Sequence, residues 1–146
     1  MKILVINGPN LNMLGIREPE IYGSVTLKNI EEELIEYSKK FSDIELEFFQ
    51  SNSESEIVDK IQNSINNDIK GIIINPAAFT HTSIAILDAI KAVKIPCVEV
   101  HLSNINSRED FRKISYISSA SIGTIAGFKQ NGYKMALFGL INYLNE

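Results

Sequence analysis

The chain's only two histidines, His81 and His101, each follow a strongly apolar run. His81 lies in Asn75-Pro76-Ala77-Ala78-Phe79-Thr80-His81-Thr82-Ser83, after Gly71-Ile72-Ile73-Ile74. His101 lies in Glu99-Val100-His101-Leu102-Ser103-Asn104, after Ile95-Pro96-Cys97-Val98. A third polar run, Asn7-Gly8-Pro9-Asn10-Leu11-Asn12, follows Ile3-Leu4-Val5-Ile6. Imidazole titrates nearest neutrality, so His101 is the leading acid or base. Glu99, two residues earlier, would share a strand face with it and could hold its second nitrogen. Tyr22 is a group of the opposite kind. A phenol is a poor base unless a cation lowers its pKa, and Arg17 lies five residues away in the same segment. One phenolate and one imidazolium would suit removal of a proton and protonation of a leaving group. The amides of Asn10 and Asn75 could orient hydroxyls or stabilise an enolate. Arg108 and Arg112, spaced i,i+4 and expected in one helical turn, are natural partners for a carboxylate.

Other chemistries fit less well. His81, His101 and Glu99 could in principle supply three metal ligands, yet there is no HExxH, no cysteine cluster and no carboxylate-rich patch. No metal is expected. Neither GxxxxGK[ST] nor GxGxxG follows the first strand, which argues against ordinary nucleotide binding. A flavin-binding electron-transfer domain could share the layout, but would want Ser, Thr and Gly where asparagines stand. A sensor that binds a small molecule without turnover and a purely structural protein are the remaining alternatives. The net charge of −4 and the acid-flanked basic clusters at Lys39-Lys40 and Arg108 to Lys113 argue against nucleic acid. No apolar run reaches membrane-spanning length, and nothing reads as a signal peptide, so a cytoplasmic protein is expected. The sole cysteine, Cys97, reads as a core residue.

These groups need a frame to bring them together. At 146 residues the chain is expected to form one domain, 1–146. Residues 2–7 read as a strand. Leu27, Ile30, Leu34, Tyr37 and Phe41 recur at helical spacing over 26–41. Residues 44–49 alternate apolar and acidic, as in an edge strand. Ser53 with Glu56 predicts a capping box for a helix carrying Ile57, Ile61 and Ile65. Residues 69–74 read as a strand covered on both faces. Thr82 or Ser83 would cap a helix running to about Val93, and 95–100 would form the fourth strand. A short fifth strand is expected within 118–128. A last helix, 133–144, would offer Met135, Leu137, Leu140, Ile141 and Leu144 for packing. Alternating strand and helix predicts a three-layer α/β fold whose polar loops meet at one sheet edge. The connection from Leu11 to Ser24 is long for its place, which suggests a lid or binding loop.

The same residues carry a family resemblance over nearly the whole chain. Asn7 to Gly15, Arg17-Glu18-Pro19-Glu20-Ile21-Tyr22-Gly23, Phe49-Gln50-Ser51-Asn52, Asn75-Pro76 with Thr80 to Ser83, Glu99 to Asn104, and Arg108 to Arg112 resemble the type II 3-dehydroquinate dehydratases. The resemblance implies a flavodoxin-like sandwich with a five-stranded parallel sheet. It implies a metal-independent, cofactor-free conversion of 3-dehydroquinate to 3-dehydroshikimate and water through an enolate. It assigns the base to Tyr22, activated by Arg17, within a lid at about 16–24. It assigns the acid to His101 with Glu99 assisting, and a water partly held by Asn10 to the enolate. Asn75, His81, Leu102, Ser103 and Arg112 match groups that hold the substrate. Asp88 matches a residue given to a neighbouring subunit's site, in a dodecamer of four trimers. Ser53, Ser55, Ala77, Phe79 and Asn106 depart from the usual pattern, and Ala77 would crowd the pocket by one methyl where glycine is common.

Overall fold

The computed structural model describes residues 1–16 and 18–146, the side chains of Pro19 and Tyr22 excepted. Five strands, β1 (Lys2–Asn7), β2 (Glu45–Gln50), β3 (Ile69–Asn75), β4 (Cys97–His101) and β5 (Gly123–Ala126), form one sheet. Its order is β2-β1-β3-β4-β5 and every pairing is parallel. After β1 the chain builds outward to β2, then crosses back to continue with β3 on the other side. The order therefore reverses between β1 and β3, which is where open α/β sheets form their ligand crevice.

Period-two alternation in the strands feeds two cores. Ile3, Val5, Ile73, Val98 and Val100 face α2 (Leu27–Ser38) and α5 (Asn131–Leu144). Leu4, Ile6, Ile72, Ile74 and Cys97 face α3 (Glu54–Asn63) and α4 (Ile84–Val93). With helices on both faces, the central strands carry apolar side chains at nearly every position. The short helix α1 (Pro19–Tyr22) interrupts the long connection before α2. Burial pushes the Cys97 thiol up to about 12, as its place in the core requires.

Several local expectations are met. Glu45–Gln50 is an edge strand, with Glu47 paired to Lys2 at 2.6 Å and to Lys60. Ser83 caps α4 by accepting the Ile86 N–H at 3.0 Å.

Others are corrected. Ser53 accepts the Glu56 N–H at 3.5 Å, but the Glu56 carboxylate takes the Ser51 hydroxyl instead of closing a box. The reciprocal box belongs to Thr26 and Asn29, at the start of α2. That helix ends at Ser38, so Phe41 packs from the following turn. Ile65 falls in a 3-10 turn after α3 and is exposed. Met135 also faces outward, and Tyr133 and Ala136 take the buried positions on α5.

Candidate active site

The loops after β1, β3 and β4 converge because their strand ends lie side by side. Asn7 is level with Asn75 in the β1–β3 register. The next residue, Gly8, donates its N–H to the Asn75 carbonyl at 2.8 Å. A Cβ at Gly8 would stand 2.5 Å from the Pro76 carbonyl oxygen, so only glycine permits this approach. Asn10 follows with φ of 68°, a left-handed conformation that asparagine tolerates. Its N–H donates to Asn52 Oδ1 at 2.9 Å, while Gln50 Nε2 donates to the Gly8 carbonyl at 3.2 Å. The Gln50-Ser51-Asn52 motif thus braces the β1 loop from the neighbouring strand.

The resulting cleft holds about 680 Å³ of empty space, the open solvent at its mouth included. Asn10, Asn75, His81, His101, Leu102, Ser103, Arg108 and Arg112 all contribute to its walls. So does Ala77, whose φ of 51° explains why glycine suits this position.

Glu99 and His101 lie on one face of β4, as their spacing predicts. His101 Nε2 is 2.5 Å from Glu99 Oε1, and Glu99 is fully buried. A buried carboxylate needs compensating donors. Ser115 Oγ donates to Oε1 at 2.7 Å, and Thr124 Oγ1 donates to Oε2 at 3.4 Å from the adjacent position on β5. With Nε2–H donated to Glu99, Nδ1 is the nitrogen left for a substrate. It has no protein partner among the described residues.

His81 is held differently. Its Nδ1 donates to the Ile114 carbonyl at 2.6 Å, which fixes the tautomer and leaves Nε2 as an acceptor in the neutral ring. The two histidines thus line one cleft with separate partners. Among the described residues no group of three or more His, Cys, Asp or Glu side chains is placed to hold a metal ion.

Arg108 and Arg112 do not share a regular helical turn. A 3-10 turn at Ile105–Ser107 ends on extended Arg108, and a second at Asp110–Arg112 follows. Both arginines still line the cleft. Glu109 lies 2.7 Å from Arg112 Nε and 3.8 Å from Arg108 Nε. Its own backbone N–H, and then Arg112, hold that carboxyl below the usual range.

Tyr133 is an unanticipated member of the site's support. Its hydroxyl donates to Asn7 Oδ1 at 2.6 Å and accepts from Asn75 Nδ2 at 3.0 Å. Asn75 Oδ1 accepts the Ala77 N–H at 3.2 Å, so the orientation of its amide is set. Burial pushes the Tyr133 phenol up, which makes it a fixed hydrogen-bonding group and no base. Nothing in the spacing of the sequence points to a bond joining residues 126 positions apart.

Asp88 is exposed on α4 and is not part of the cleft wall. Arg17 and the side chain of Tyr22, the expected activator and base, lie outside the described residues.

A flavodoxin-like sheet with an imidazole–carboxylate pair and two guanidinium groups at its switch-point edge defines an α/β acid–base enzyme for a small anionic molecule. The comparisons narrow that class. The family model for class II dehydroquinases matches residues 1–141. The 3-dehydroquinate dehydratase of Helicobacter acinonychis (strain Sheeba) is 58% identical over 147 residues, covering 100% of this chain and 88% of the relative. That of Prochlorococcus marinus (strain MIT 9301) is 59% identical over 145 residues, covering 99% and 97%. The type II dehydroquinase structure from Butyrivibrio crossotus DSM 2876 superposes with a TM-score of 0.92 at 50% identity, covering 100% of this chain and 98% of that one. The type II dehydroquinase structure from Propionibacterium acnes gives 0.89 at 41%, covering 99% and 97%. The chain belongs to the class II dehydroquinase family.

Proposed function

We propose that this cleft carries out a stepwise elimination on 3-dehydroquinate, with an enolate between loss of the proton and loss of the hydroxyl. The overall reaction is the dehydration of 3-dehydroquinate to 3-dehydroshikimate in the shikimate pathway, the reaction of the family to which the chain belongs. The observation that carries the division of labour is the buried Glu99–His101 pair, whose imidazole lines the same cleft as Arg112.

In this reading the Tyr22 phenolate, favoured by Arg17, takes the proton from the carbon next to the ketone. The electrons pass to the ketone oxygen, and Asn10 helps hold a water against that charge. The enolate then re-forms the carbonyl as the carbon–oxygen bond breaks. His101 gives its proton to the departing hydroxyl, so that water leaves. Glu99 holds the ring while Nδ1 transfers that proton. Arg112 is a bidentate partner for the substrate carboxylate. Asn75, His81, Ser103 and the backbone of Leu102 hold its remaining oxygens. No cofactor enters the sequence of steps. The catalytic unit is a single domain, 1–146, with segment 16–24 as its lid. The working assembly is a homododecamer of four trimers in the cytoplasm, in which Asp88 completes a neighbour's site. The exposed, outward position of Asp88 on α4 suits that role. No helix among the described residues is long and apolar enough to cross a membrane.

Assay with 3-dehydroquinate, following the product enone, tests this reading. Tyr22→Phe and His101→Ala should each lower kcat by at least about a hundredfold, the scale of one acid–base group, in proteins that still bind substrate. Full turnover in Tyr22→Phe would remove the base assignment, and full turnover in His101→Ala would remove the acid.

A further inference from the structure

The segment Ile114-Ser115-Tyr116 touches both histidine-bearing regions, and each residue does so in a different way. The Ile114 carbonyl accepts from His81 Nδ1 at 2.6 Å. The Tyr116 N–H donates to the Thr80 carbonyl at 3.0 Å, fastening the strap to the turn that carries His81. Between them, Ser115 Oγ donates to Glu99 Oε1 at 2.7 Å, the same oxygen that holds His101 Nε2.

The direction of the serine bond is also set. Ser115 Oγ accepts the Ser118 N–H at 3.1 Å, so its single proton is the one given to Glu99. Glu99 is fully buried, and Thr124 Oγ1 reaches its other oxygen only at 3.4 Å. Ser115 is therefore the short neutral donor that keeps this carboxylate in place beneath the imidazole.

We infer that Ser115 is a positioning residue for proton transfer, acting on His101 through Glu99. The inference rests on the acid role proposed for His101. Without the serine proton, Oε1 keeps only the imidazole, and the carboxylate can rotate to find another donor. The ring it orients then spends less time aligned with the leaving hydroxyl. His81 is held by the backbone of the same strap, so loss of the Ser115 hydroxyl alone should leave substrate holding intact.

Steady-state kinetics of the full-length protein with 3-dehydroquinate separate these effects. Ser115→Ala should lower kcat by about tenfold or more, the scale of one hydrogen bond to a charged group, with KM changed less than about twofold. Ser115→Thr keeps the hydroxyl and should retain at least about half of the original kcat. In a Glu99→Gln background, Ser115→Ala should add less than about a twofold loss, because the two residues act along one path. A kcat near the original in Ser115→Ala would overturn the inference, as would an equal tenfold loss in both backgrounds. So would a loss confined to KM, which would mean that the strap merely holds His81. A parallel His101→Ala measurement separates the two claims. Unchanged turnover there rejects the acid assignment itself, whereas a large loss there with no effect of Ser115→Ala rejects only the positioning role.

Discussion

One phenol joins the asparagine side chains at the strand ends. Tyr133 reaches from α5 to the ends of β1 and β3, giving its proton to Asn7 and taking one from Asn75. Tyr133→Phe would leave the Asn75 Nδ2 donor and the Asn7 Oδ1 acceptor without their shared partner in a dry region. Each such loss costs about 1–3 kcal/mol, but the two amides can turn toward each other and recover part of it. The expected result is a loss of about 2 kcal/mol in denaturant unfolding, with a raised KM because Asn75 then keeps only its Ala77 bond. An unchanged denaturation midpoint and KM would show that the phenol is dispensable. This part of the site was not legible from spacing. A tyrosine at the start of an amphipathic helix reads as packing, and its polar end matters only once the sheet is assembled. The Glu99–His101 pair was legible, because period-two geometry alone puts both on one strand face.

Elements were read best where a repeating pattern ran through their interiors. Lys2–Asn7 and Ile84–Val93 match their expected limits, because an apolar run or a cap defines each end. Ser53 does cap α3, but the box stays open because Ser51, on the chain leaving β2, donates to the Glu56 carboxylate and accepts the Ser53 N–H that would have closed it. The arginine pair erred in the opposite sense. Arg108 and Arg112 do reach one cleft, but through two tight turns joined by extended backbone and not through a continuous helix. The long connection after β1 is framed by Gly15 and Gly23, with φ of 88° and 80°. Glycine takes those values without a Cβ penalty, so two changes of direction cost little there. If the intervening segment is the lid, a saturating carboxylate-bearing substrate analogue should slow amide exchange between Gly15 and Gly23 by about tenfold or more. Equal exchange with and without the analogue would remove the lid from the mechanism.

At the scale of the whole molecule, α4 leaves an apolar and an acidic side chain outside. Ile84 is 56% exposed on α4, and Asp88, one turn further along the same face, is exposed as well. An isoleucine beside an acid is a plain surface in a monomer. In the proposed trimer it would be a contact that carries Asp88 toward the site of the next subunit. Two changes distinguish these cases. Asp88→Ala should preserve the fold and the assembly measured by sedimentation velocity, yet raise KM by about tenfold, the worth of one charge-assisted hydrogen bond. Ile84→Lys would place a solvated charge in the apolar part of the contact. It should yield smaller particles whose activity per chain falls along with the assembly, because each cleft would lose the acid that its neighbour supplies. A fully active monomer would overturn the shared site. A fully active monomer whose KM still rises on Asp88→Ala would also show that the aspartate acts within its own chain.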